Sequence, residues 1–175
     1  MMLKKIDSVE DYNGMWNISF EQIVSDLILI SITRDKSEAL LSYCRLANID
    51  DVPPLEIGFN CTSHRIDAIT FFVGSEHLQT KKMSVNSVKT KEVIFDTDIF
   101  AGANDFIDLK VKYDVEVQED KLICYFNENC NFNEGYKSER IELYFDLNDE
   151  LIGFAITNLL SYEKELINRL KCVLV

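Results

Sequence analysis

The chain has 175 residues, with 30 Asp and Glu against 18 Lys and Arg, for a formal net charge of −12. Its 47% hydrophobic and 27% charged content is that of a globular protein and excludes wholesale disorder. An acidic balance of this size repels phosphate backbones and anionic lipid, so neither nucleic acid nor a membrane is the expected partner.

Lys4 and Lys5 are followed by Ile6-Asp7-Ser8-Val9-Glu10-Asp11, where a signal peptide would need an apolar stretch. Leu27 to Ile30 is the longest aliphatic stretch, far short of the roughly 20 residues that cross a bilayer. A soluble, cytoplasmic protein is expected. Cys44, Cys61, Cys124, Cys130 and Cys172 form an odd set without a CxxC pair, which suits buried thiols better than disulfides.

Ser19 and Gln22 fit a capping box, and Phe20, Ile23, Val24, Leu27 and Ile28 recur at helical spacing, predicting an N-terminal helix. Leu27 to Thr33 is β-branched enough to be a strand instead. Asp35 or Ser37 would cap a second helix, with Leu40, Leu41, Cys44 and Ala47 on its buried face, ending before Pro53-Pro54. From Leu55 the period changes to two, giving strands over 55–59 and 66–73. The polar, basic stretch 75–91 reads as a mobile connection.

Ile107 to Gln118 alternates as one long strand, Val115 and Val117 facing one way and Asp108, Asp114 and Glu116 the other. Gln118 to Lys121 supplies a turn into Leu122–Phe126, and a second hairpin runs from 140–145 into 151–156. Ser161 would cap a C-terminal helix with Leu166, Ile167, Leu170 and Val173 on one side. The whole is expected to be a single α+β domain over residues 1–175, an antiparallel meander packed against N-terminal and C-terminal helices.

The charge is concentrated. Residues 92–150 hold 16 acids and 5 bases, a net of −11, while residues 1–91 carry −2 and residues 151–175 carry +1. Many of these acids fall on expected turns and solvent faces. Asp96, Asp98, Asp108, Asp114, Glu116, Glu119, Asp120, Glu128 and Glu142 would form a docking field for a cationic protein, with Tyr125, Tyr136 and Tyr144 as aromatic anchors. A polar strand face kept for solubility would give the same composition.

Motifs for chemistry do not assemble. Cys61, His64 and His77 offer three metal ligands without an evident fourth. Asp96-Thr97-Asp98 opens like a calcium loop but is not continued, and no glycine-rich loop cradles a phosphate. No metal, cofactor or catalytic residue is therefore expected, and enzyme is the weaker class.

The hairpin from Ile141 through Asp146-Leu147-Asn148-Asp149-Glu150 to Ile156 resembles a pattern found in small bacterial domains and some immunity families. With the short acidic chain around it, it is similar to the bacterial immunity proteins of contact-dependent growth inhibition and other polymorphic toxin systems. That resemblance implies neutralisation of a cognate protein toxin, usually a nuclease, by covering its active site or substrate groove. A basic nuclease cleft suits an acidic inhibitor. Two other readings remain: a small-molecule-binding or scaffolding domain with a pocket lined by some of the 11 Phe and 7 Tyr, and a thiol hydrolase using Cys44 or Cys61.

Overall fold

The computed structural model describes residues 3–10, 14–35, 40–47, 53–79, 82–126 and 131–172. Among them are fifteen strands and one α-helix. This overturns the expected α+β architecture, because the helices predicted near the N-terminus are strands. β1 (Lys5–Val9) is followed by β2 (Trp16–Val24), β3 (Leu27–Arg34), β4 (Leu41–Leu46), β5 (Leu55–Asn60) and β6 (Arg65–Gly74). Then come β7 (Leu78–Gln79), β8 (Val88–Thr90), β9 (Glu92–Phe95), β10 (Phe106–Leu109), β11 (Asp114–Val117) and β12 (Lys121–Tyr125). β13 (Glu134–Ser138), β14 (Ile141–Phe145), β15 (Leu151–Thr157) and α1 (Ser161–Cys172) complete the chain.

The physical reason for the first correction lies in β3. Ile28, Ile30 and Ile32 are fully or almost fully buried while Leu27, Leu29 and Ser31 between them are only half-buried, a period of two that β-branched residues favour. Ser25 and Asp26 form the turn that separates β2 from β3. Ile23 and Val24, assigned to the buried face of the expected helix, are exposed. The second expected helix is β4, where Ser42, Cys44 and Leu46 alternate into the interior and Leu40 is left outside. Ser37, its possible cap, and Val173 lie outside the described residues.

Two large sheets face each other. The six-stranded sheet runs β10-β4-β5-β6-β3-β2 and the seven-stranded sheet β7-β11-β12-β15-β14-β13-β8; β1 and β9 form a third, two-stranded sheet. One core fills the space between the large sheets, and Phe71 of β6 meets Phe154 of β15 edge-on with centroids 5.2 Å apart. Phe95 of β9 touches both Phe59 and Phe145, so the small sheet closes one side.

The long strand expected over 107–118 is divided between the sheets. β10 lies parallel to β4 in one and β11 antiparallel to β12 in the other. Residues 110–113 cross between them, where Tyr113 stacks on His77 at 4.9 Å and donates to the Phe72 carbonyl at 2.7 Å. Alternation continues across the crossing because both flanking strands bury one face in the same core. The hairpin turn at Gln118–Lys121 and the hairpin β14–β15 are as expected.

The C-terminal helix is also present. Ile167 and Leu170 enter the core and Leu166 packs against it. At its start the Leu160 N–H donates to the carboxylate of Glu163, which also accepts from Arg140. That carboxylate, rather than the Ser161 hydroxyl, serves the first turn. Among the described residues no helix is long and apolar enough to cross a membrane.

Candidate partner-binding surface

The acidic third does not form one skin. Of the twelve residues proposed from sequence, Asp98, Asp108, Glu119 and Asp120 are exposed, while Asp96 and Asp114 are half-buried. Glu116, Glu142, Tyr125, Tyr136 and Tyr144 are buried, and Glu128 lies outside the described residues. The three tyrosines are therefore not surface anchors, and Glu116 and Glu142 are not on a solvent face.

The cause is a cover on the outer face of the seven-stranded sheet. Strand parity does send Glu116 and Glu142 away from the central core, but Met83, Val85 and Phe132 lie over that face. Register places Glu116, Ile123, Ala155 and Glu142 in one row across four strands, with Tyr125, Gly153 and Tyr144 in the next. A second apolar cluster forms there from Met83, Ile123, Tyr125, Phe132, Tyr144, Ile152 and Ala155. Phe132 stacks on Tyr144 at 4.5 Å. The segment expected to be a mobile connection thus contributes β7, β8 and a strap over the sheet. Its signal in the sequence is the spacing of Met83 and Val85, two apolar positions with one polar residue between them.

Both buried carboxylates have partners in this layer. Glu116 accepts from the Met83 N–H at 2.6 Å and from Gln118 at 2.9 Å, which ties the strap to β11. Glu142 accepts from the Tyr144 hydroxyl at 2.6 Å and from Lys121 at 2.9 Å, with Lys137 at 3.6 Å. Burial by itself would raise the Glu142 carboxyl; the hydrogen bonds and the two lysines outweigh it and hold the group below its usual range. Burial first, then the Glu142 carboxylate, pushes the Tyr144 phenol upward.

Other acids are also committed to the fold. Glu92 and Asp67 hold the Arg34 guanidinium, at 2.5 Å and 3.3 Å, and that guanidinium lies 4.1 Å from the Trp16 ring. The cluster joins β3, β6 and β9. Glu134 pairs with Lys89 and Lys5, and Asp149 with Lys5 at 3.0 Å. Asp108 meets Arg45 at 2.6 Å.

What remains divides between opposite ends of the sandwich. At one end Asp96 donates its N–H to the Lys4 carbonyl, and Lys4 bridges to Glu150 beside the 146–149 turn. Asp96, Asp98, Asp146 and Glu150 make no ion pair among the described residues. Glu119 and Asp120 occupy the β11–β12 turn at the other end, since Tyr125 pairs near the start of β15 and Lys121 at its end.

Beside that second turn is an open groove of about 850 Å³ lined by Leu78, Lys82, Met83, Glu116, Glu119 and Lys171, among others. Between the sheets, by contrast, the pocket at Trp16, Arg34 and Tyr136 amounts to about 20 Å³, room for a single water.

The other chemistry considered from sequence is dispersed. The His64 ring is 2.6 Å from the Thr97 hydroxyl, while His77 accepts from the Gly74 N–H at 2.9 Å. Among the described residues no three His, Cys, Asp or Glu side chains are grouped to hold a metal. Burial pushes the Cys44 thiol up to about 12, so this candidate nucleophile stays protonated at neutral pH. No family model matches the sequence, and no curated relative is found for it.

Proposed function

We propose that this chain is a non-catalytic binding protein of the immunity type, which neutralises a cognate cationic toxin domain of the nuclease class. One observation carries the proposal. Asp96, Asp98, Asp146 and Glu150 gather at one end of the sandwich without cationic partners, whereas Arg34, Arg45, Lys121, Lys137 and Arg140 are each engaged internally. Unneutralised carboxylates repel one another, and a basic partner relieves that repulsion while accelerating its own encounter. The interface proposed from sequence accordingly contracts to its accessible members, the exposed Asp98 and the half-buried Asp96 at this end. A cytoplasmic location fits the same reading.

The test is co-expression with the product of the adjacent upstream reading frame. A stoichiometric complex and rescue of growth from that product are expected. Absence of both rejects the proposal.

The groove beside Glu119 favours a second reading as a small-molecule-binding domain, because its size suits a ligand and both Lys82 and Lys171 border it. A ligand-dependent rise in melting temperature without any protein partner would favour this alternative.

A further inference from the structure

The four outer edges of the two large sheets are unequal. On the seven-stranded sheet the edges are β7 and β8, of two and three residues, and on the six-stranded sheet one edge is β10, of four. The remaining edge, β2, has nine. Short edges offer little backbone to an incoming strand; a long one is a template for pairing.

The hydrogen-bond parity of β2 can be fixed. Asp35 donates its N–H to the Met15 carbonyl at 2.8 Å, in the same register that pairs Trp16 with Arg34 and Asn17 with Thr33. In an antiparallel ladder bonded pairs alternate, so Asn17, Ser19 and Glu21 exchange bonds with β3 while Trp16, Ile18 and Phe20 turn theirs outward. The Trp16 N–H confirms that direction, since it donates to the carboxylate of Glu139 at 3.1 Å. Beyond it, the N–H and C=O of Ile18 and Phe20 have no partner among the described residues. Two of the usual protections against pairing are absent from Trp16 to Phe20, which contains no lysine and no proline; the bulge comes only later, between Gln22 and Val24, where Arg169 of α1, itself paired with Glu165, also reaches the Gln22 side chain at 3.4 Å.

We propose that β2 is a docking edge that takes an extended, lysine- or arginine-bearing strand of another protein, adding a seventh strand to the six-stranded sheet. Charge selects that occupant. Glu21, Asp35 and Glu139 are exposed around the edge, and Met15 to Asp26 contains no basic residue. A second copy would bring the same carboxylates and the same net charge of −12 to the pairing. This edge is separate from the acidic end around Asp96, and the inference stands or falls independently of the toxin reading.

The test uses the full chain, ¹⁵N-labelled, and a synthetic peptide of about ten residues alternating lysine with valine and threonine. Amide exchange at Ile18 and Phe20 should slow roughly tenfold on saturation with the peptide, with little change at Asn17 and Ser19, already bonded to β3. A glutamate-for-lysine peptide should give no protection. Ile18→Pro removes one outward donor without touching the β3 bonds, and should weaken peptide binding roughly tenfold. Glu21→Lys, on an exposed side chain, should weaken it severalfold and serves if the proline variant does not fold.

Unchanged exchange at Ile18 and Phe20, or equal binding of the two peptides, overturns the proposal. So does a dilution-dependent dimer that protects these amides without peptide, which would make a second copy the occupant.

Discussion

The two large sheets share a core but differ on their outer faces. In the six-stranded sheet Ile28, Ile30 and Ile32 of β3 are buried while Leu27, Leu29 and Ser31 are half-buried and Thr33 is exposed, so its sequence alternates. In the seven-stranded sheet every residue of β15, Leu151 to Thr157, is buried, because the strap and Phe132 cover the second side. The acidic third belongs largely to that doubly covered sheet. An acid there can face away from the core and still be enclosed, as Glu116 and Glu142 are. Charge counted along a sequence therefore measures a surface only where the outer face is open.

The largest effect expected from breaking this arrangement is in the part both sheets share. Phe154 is fully buried and meets Phe71 across the interface. Phe154→Ala should cost about 3–5 kcal/mol, read as a lower denaturant midpoint with little change in slope. A loss below about 1 kcal/mol would mean that the sheets do not pack through this contact.

On the covered outer face the expected loss is smaller and has a different cause. A methyl group added at Gly153 would lie 2.6 Å from the Cys124 carbonyl oxygen and 3.3 Å from the Phe132 ring. Gly153→Ala should therefore cost about 1–3 kcal/mol through displaced backbone and a lifted cover. At Gly102 an added methyl meets nothing within 4 Å, so Gly102→Ala should stay within about 0.5 kcal/mol of the parent. Thermal melts of the two variants side by side check the contrast.

The β-rich half of the fold was legible where local and tertiary signals agreed. Leu55–Phe59, Ile66–Val73 and both C-terminal hairpins carry alternation or turn chemistry that needs no distant partner to interpret. Phe20, Ile23, Val24, Leu27 and Ile28 misled because spacing of three and four also arises when a turn, here Ser25-Asp26, shifts the phase between two strands. The chemistry of the acidic third was less legible. Strand parity correctly separated Val115 from Glu116, but nothing local to β11 reveals that Met83, 33 residues earlier, donates its N–H to that carboxylate. The exposed members, Asp98, Asp108, Glu119 and Asp120, were legible because turns and an edge strand remain open whatever else packs nearby.

Glu142 sharpens the comparison through pH. Its carboxyl is held below the usual Glu value, about 4.3, so its pairing stabilises the fold fully above that pH and is lost as pH falls through the lower folded value. Glu142→Gln removes the charge facing Lys121 and Lys137 and should cost about 1–2 kcal/mol at neutral pH. The difference from the parent should shrink on acidification below about pH 4. A difference that is constant from neutral pH down to about pH 3 would mean that the carboxylate is not held by these partners.

The smallest stability effect, and the most informative about function, is expected at the open acidic end. Asp98 and Glu150 make no ion pair among the described residues, and Asp98→Lys with Glu150→Lys should change stability by no more than about 0.5 kcal/mol. If this end meets a cationic toxin domain, the double variant reverses two charges in the encounter field. Association should slow by about tenfold or more at low ionic strength and converge on the parent rate as salt is raised, with a smaller change in dissociation. The matching reversal at the other end, Glu119→Lys with Asp120→Lys, is the control. A larger slowing there would move the docking surface to the β11–β12 turn beside the groove, and equal insensitivity of both variants would remove the electrostatic basis of the proposal.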